Sequence, residues 1–253
     1  MSSIVIRPEI NEDDLPSPAD LASTSLPIFM DNVMPMLMLG LAQTTVAFGA
    51  AMILVPLGMC AMGVVMFGSG AVAALAGSDA SDVVQGLTAL AVFGFYFLML
   101  GLIIIGGAVI TGPFMGSIMR GLDRHLAGEG EASFHDLYNT AKDQPLKDIG
   151  STLLLSFAIM LGLPFCYVGA LVPAFILMWF TWSCELDGLS LPNAIRRSVA
   201  TVRAHPVWCL GVFALGFAFA FVGAYVPIVG PVAALMYYVR AYRAVFPRTP
   251  AAA

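Results

Sequence analysis

The stretch Phe29-Met30-Asp31-Asn32-Val33-Met34-Pro35-Met36-Leu37-Met38-Leu39-Gly40 places four methionines within nine residues, beside an aspartate. Thioether sulfur is a soft ligand that suits Cu(I), so a copper cluster is one chemistry this spacing permits. A second candidate is the segment holding His125 and His135 among Asp123, Glu129, Glu131 and Asp136, where imidazole and carboxylate could bind a metal or move protons. Its spacing is irregular, and Gly128 and Gly130 mark a turn, so a solvated loop is the simpler reading. No Ser/His/Asp set, no H-E-x-x-H helix and no C-x-x-C pair is present. The expectation is therefore a non-enzymatic protein with no catalytic, cofactor-binding or metal-binding residue. Cys60, Cys166, Cys184 and Cys209 are read as small apolar packing residues.

The elements that must position these residues are apolar throughout. Of 253 residues, 59% are hydrophobic and 11% charged, with a mean hydropathy of +0.89. A soluble domain carries roughly 25% charged residues. Asp, Glu, Lys and Arg are absent from four runs, 32–78, 83–119, 149–184 and 204–239. Each run, if one straight helix, would extend ~54 Å or more, whereas a bilayer's hydrocarbon core is ~30 Å thick. Most of the runs are thus expected to fold back.

Charge reports topology rather than a nucleic-acid partner. After Arg7 the basic residues fall in three groups: Arg120, Arg124, Lys142 and Lys147; Arg196, Arg197 and Arg203; Arg240, Arg243 and Arg248. The connections between them, around 77–83, 164–170 and 225–230, lack Lys and Arg. Under the positive-inside rule the three basic groups are cytoplasmic and enclose three hairpins. The acidic start, MSSIVIRPEINEDDLPSPAD, has no basic-then-apolar signal pattern and reads as a disordered cytoplasmic tail over 1–25.

A repeat sharpens this organisation. Pro35 to Gly40, Pro145 to Gly150 and Pro206 to Gly211 share the form P-x-x-x-[LI]-G, and each opens an apolar run. Pro56, Pro164 and Pro227 follow at similar spacing. The segments 133–142 and 191–203 precede two of these starts and read as amphipathic helices lying on the inner surface. In the second, Ile195, Val199 and Val202 fall on one face, opposite Arg196, Arg197 and Arg203. The fold expected is all-α and polytopic, with six transmembrane helices as three hairpins, about 34–119, 149–184 and 206–243. Cytoplasmic connectors fill 120–148 and 185–205, and a short tail follows 246. Eight spans would preserve the same parity. Trp179, Trp182 and Trp208 with Tyr237, Tyr238 and Tyr242 are expected to form an interfacial aromatic belt.

The residues Ile110-Thr111-Gly112-Pro113-Phe114-Met115-Gly116, then Arg120-Gly121 and Ser133-Phe134-His135-Asp136-Leu137-Tyr138, carry a resemblance. So do Glu185-Leu186-Asp187-Gly188 and Ala194-Ile195-Arg196-Arg197-Ser198. The chain resembles a broad family of bacterial six-helix integral membrane proteins of unknown function, similar in pattern to the membrane region attached to some glycerophosphodiester phosphodiesterases. The resemblance implies a fold and no reaction.

The interaction candidates are Gly112, Pro113, Gly116, Glu185, Asp187, Arg196, Arg197 and Arg203. Gly112 and Gly116 favour close helix packing. Glu185 and Asp187 are expected to meet Arg120, Arg196, Arg197 or Arg240 in an ion-pair network that pins the hairpins together. The function expected is to organise, anchor or regulate partner proteins or lipids at the bacterial inner membrane, with both termini cytoplasmic. The partners implied are the lipid bilayer, anionic lipid headgroups, and a membrane protein or a second copy of the chain. The alternative is a transporter, channel or lipid translocator for an uncharged or amphipathic substrate. The charge-free runs disfavour ion-coupled transport.

Overall fold

The computed structural model describes residues 14–31, 81–129, 134–162, 166–223 and 229–248, with single positions between 34 and 68. The described residues form helices and turns, with no strand among them. In chain order the helices are α1 (Pro18–Asp31), α2 (Ser81–Leu126), α3 (Phe134–Asp143), α4 (Pro145–Gly162), α5 (Cys166–Ile176), α6 (Phe180–Glu185), α7 (Leu191–Ala204), α8 (Pro206–Gly223) and α9 (Val229–Val245).

The Pro-led repeat sets two helix starts. Both α4 and α8 begin on their proline and run 18 residues to a glycine. Proline suits the first turn because its missing N–H has no helical partner there. The residue before each proline, Gln144 or His205, accepts the first turn's backbone bonds through its carbonyl. Each helix follows a shorter one, α3 or α7, after a single residue. The first copy, Pro35 to Gly40, lies mostly outside the described residues.

The run 83–119 does not fold back. It belongs to α2, a continuous helix of 46 residues, roughly 69 Å long at the usual rise. Gly128, with φ of 74°, ends it: Gly128 and Glu129 donate to the carbonyls of His125 and Arg124.

The disordered tail expected over 1–25 is corrected for residues 18–25, which begin α1. Ser17 Oγ accepts the Asp20 amide at 3.1 Å and donates to the Asp20 carboxylate at 2.6 Å, capping the helix ahead of Pro18. Leu21, Ser25 and Phe29, four apart, form the buried stripe against α8 and α9. Trp208 Nε1 donates to the Pro16 carbonyl at 2.8 Å, and Arg240 donates to Ser25 Oγ at 2.8 Å. Gly211 leaves room for this docking, since a Cβ there would lie 2.9 Å from Pro18 Cγ.

The aromatic belt is likewise corrected. Trp179, Tyr237 and Tyr242 have no exposed surface, and Trp182 and Trp208 are buried. Trp179 stacks on Trp208 at 5.9 Å and Trp182 on Tyr238 at 6.0 Å. These rings fill the centre of the largest buried cluster, where α8 and α9 meet α1 and α6. The indole N–H groups of Trp179 and Trp208 and the hydroxyls of Tyr237, Tyr238 and Tyr242 find partners there, which lets amphipathic rings be buried.

On length and composition, one described segment, Ile103–Leu126 within α2, is long and apolar enough to cross a membrane. A second qualifies if Leu191–Ala204 and Pro206–Val222, bent by 108°, count as one broken span. Other apolar helices are shorter, such as α5 with 11 residues and α9 with 17, where about 20 are needed.

Candidate functional site: two buried charge networks

Helices α2 and α4 cross in close contact, and glycine allows it. A Cβ on Gly112 would lie 3.0 Å from the Asp148 carbonyl and from the Ile149 Cα, so the two backbones touch. One turn on, a Cβ on Gly116 would lie 2.5 Å from Glu185 Oε2 and 2.8 Å from the Asp148 carboxylate. The missing side chains thus form a notch that seats two acids from α4 and α6. Pro113, between the two glycines, is half-buried and continues α2.

Arg120, one turn past Gly116, faces both acids. Its two terminal nitrogens grip Asp148 at 3.0 and 2.8 Å, and one of them also donates to Glu185 at 2.5 Å. It reaches the Thr140 carbonyl on α3 at 3.3 Å. Ser151 Oγ donates to Glu185 Oε1 at 2.8 Å. The Asp148 and Glu185 side chains are 0% and 1% exposed and Arg120 18%, so two buried carboxylates depend on one guanidinium. Burial first, then the hydrogen bond and charge of Asp148, push the Glu185 carboxyl up to about 7. Ser151 and Arg120 pull in the other direction. For Arg120 burial disfavours the charge, yet the hydrogen bond and charge of Asp148, with Glu185 and Asp143, outweigh it and raise its pKa.

Asp187, two residues on, belongs to a different network. It pairs with Arg197 on α7 and with Arg243 on α9 at 2.9 Å, and it accepts the Tyr242 hydroxyl at 2.7 Å. Arg243 also grips Asp123 on α2 through two bonds of 2.9 and 2.7 Å. Arg248 pairs with Asp123 at 2.9 Å and with Glu129 at 2.6 Å. Three acids meet three arginines here, and the charges balance. Gly188, with φ of 68°, lets the chain turn sharply after Asp187, and the Leu189 amide donates back to the Ser183 carbonyl.

Of the arginines expected near Glu185 and Asp187, Arg120 and Arg197 take those places. Arg196 and Arg203 are exposed and form no ion pair among the described residues. Arg240 turns to α1. The face assigned to Arg197 is corrected: its side chain is buried, lying 4.6 Å from the Phe246 ring and donating to Tyr242 at 3.0 Å. Periodicity alone sends an arginine to solvent, but Asp187 and Tyr242 receive this one inside. The buried face of α7 is Ala194, Arg197, Ser198, Thr201 and Val202. Ser198 also repairs a lapse in helical bonding between α5 and α6, donating to the Ile176 carbonyl at 2.8 Å and accepting the Trp179 amide at 3.1 Å.

Asp148, Ser151 and Arg243 were not among the sequence candidates, and Asp123 was considered only with His125 and His135. Asp148 had a signal, because it occupies the repeat position held by Met38 and Cys209 in the other copies. A charge in an otherwise apolar register marks a partner waiting elsewhere in the fold.

Of the other sequence features, Met30, Met34 and Met38 are 62%, 73% and 51% exposed, and Met36 lies outside the described residues. The side chain of His135 also lies outside them. His205 is buried, and neither ring nitrogen has a hydrogen-bond partner among the described residues.

Comparison with protein-family models, with curated proteins and with solved structures finds no match to this chain. The resemblance carried by the short motifs at 110–138 and 185–198 gains no support from it.

Proposed function

We propose that this chain is a non-enzymatic, multi-pass protein of a bacterial cytoplasmic membrane that anchors anionic lipid headgroups on its inner surface. One observation carries the reading. Along α8, Leu210, Phe217 and Phe221 are more than half exposed, forming an apolar stripe, while α7 turns away by 108° and holds Arg196 and Arg203 in the open. Large contiguous apolar surface is unfavourable in water and favourable in lipid. An exposed basic helix at the edge of such a stripe lies where headgroups would be, with an attraction of about 1 kcal/mol per basic residue. The two buried networks would then hold the hairpins at that surface.

In this reading the chain spans six times, as hairpins about 34–119, 149–184 and 206–243, with both termini cytoplasmic. Packing of α4 on α5 and of α8 on α9 supports the second and third hairpins. Single cysteines placed near 80, 167 and 227 in a variant lacking the native ones should label from the outer side only.

The headgroup reading is tested by native mass spectrometry of the protein released from nanodiscs of phosphatidylcholine containing phosphatidylglycerol. The protein should retain phosphatidylglycerol preferentially, and Arg196→Ala with Arg203→Ala should abolish the preference. Equal retention of both lipids, or no effect of the variant, would overturn it.

A further inference from the structure

We propose that Glu185 keeps a proton beside the Asp148 carboxylate, and that losing it loosens the seat of both acids in the Gly116 notch between α2, α4 and α6. The inference starts from charge balance. Two carboxylates with no more than 1% exposure face one guanidinium, so full ionisation leaves one uncompensated negative charge inside the protein. Such a charge is strongly disfavoured at low dielectric, and two acids in contact resolve it by holding a proton between them. Asp148 lies within hydrogen-bonding reach of Glu185. Gly116 brings both carboxylates to the same point on α2.

Among the described residues, Arg120 is the cation that forms ion pairs with these two acids. From α2 comes Arg120, already gripping Asp148. From α4 come Asp148, Ser151 and Lys147, whose amine lies beside Gln144 at 3.4 Å. Asp143 on α3 acts on Arg120. On the chain carrying Glu185, Cys184 is buried next to it, and Asp187 is turned to Arg197 and Arg243. The balanced network around Asp187 is the internal contrast: it has an arginine for every acid. The displacement of Glu185 toward neutrality agrees with this assignment.

The consequence is a contact sensitive to pH near neutrality. With the proton in place, a carboxyl–carboxylate pair and Arg120 balance. Without it, two anions repel 2.5 to 2.8 Å from a point on α2 where backbone packing leaves no slack.

The test uses the full chain in detergent micelles, titrated from about pH 5 to about pH 9, with infrared detection of the protonated-carboxyl C=O stretch. One band should disappear as the pH passes neutrality, be missing in Glu185→Gln, and persist in Asp187→Asn. Protection of the 112–120 backbone, taken relative to the intrinsic pH dependence of amide exchange, should fall over the same range in the natural sequence and not in Glu185→Gln. Should Glu185→Gln fail to fold, Asp148→Asn is read instead: removing the neighbouring charge should move the midpoint down toward the ordinary carboxyl range. Absence of a titrating band, its persistence in Glu185→Gln, or an unmoved midpoint in Asp148→Asn would overturn the proposal. So would a midpoint that follows sodium concentration at fixed ionic strength, which would make the occupant a metal cation. The lipid preference tested above does not enter this readout, so either proposal can fail alone.

Discussion

Gly116 and Glu185 meet so closely that a single methyl group at residue 116 would stand 2.5 Å from the carboxylate oxygen Oε2. The approach joins α2 to α6 across 65 positions through Arg120 and Glu185. Gly116→Ala should therefore displace Glu185, and with it Asp148, at a cost of about 2 kcal/mol in the range seen for overpacked cores. Thermal unfolding in detergent, followed by circular dichroism, measures it. Gly94→Ala, at an exposed helical glycine with open space around it, is the control and should be neutral or slightly stabilising.

Asp187→Asn should destabilise the protein by about 2 kcal/mol, because Arg197 and Arg243 each lose a charged acceptor. Glu185→Gln should do much less at alkaline pH, since Arg120 keeps both bonds to Asp148. The double variant in the same melt is the check on the pinning role. An unchanged melting temperature would show that the networks do not hold the helices together.

Stability should also depend on pH through Glu185. Its folded pKa, about 7, lies above the ordinary carboxyl value of about 4.3, so between those values the folded state binds more protons than the unfolded one. Stabilisation from this group is then full below the ordinary value, declines as the pH rises toward 7, and is lost above it. Across that window the natural sequence should lose melting temperature relative to Glu185→Gln as the pH rises, so the cost of the substitution shrinks toward alkaline pH.

Ser17→Ala should loosen α1 without unfolding the rest. Loss of the cap costs about 1 kcal/mol, and hydrogen exchange should rise over residues 18–25 while α4 is unaffected. Trp208 fluorescence is a second readout, because its indole donates to Pro16 just before this cap.

Phe217→Lys addresses the apolar stripe of α8. A lysine facing lipid near the middle of a helix costs about 3 kcal/mol, so the amount recovered in washed membranes should fall severalfold. Recovery equal to that of Phe217→Leu would argue that this face does not contact lipid.

Helix starts were the most legible part of the fold, since Pro145 and Pro206 open α4 and α8 as the repeat predicted. The Gly112 and Gly116 motif pointed to close packing, and close packing is what the backbone shows there. What stayed hidden depended on partners distant in the chain. Arg197 looked solvent-facing because a helical period carries no information about Asp187 and Tyr242. The aromatic residues looked interfacial because tryptophan and tyrosine at helix ends fit a membrane edge, while burial depended on α1 covering them. Asp148 lies in the first turn of α4, where the helix dipole accounts for an acid locally without pointing to Arg120, 28 residues away.

Arg243 holds Asp123 and Asp187 at once, reaching the first of them from 120 residues away. A chain emerging from the ribosome makes both acids long before it makes their shared arginine. Asp187 can meet Arg197 early, but Asp123 must keep its hydration until α9 is nearly complete, because its partners Arg243 and Arg248 both come late. The last helix is thus the one that closes the bundle, and synthesis halted short of residue 243 would leave Asp123 wet and unpaired.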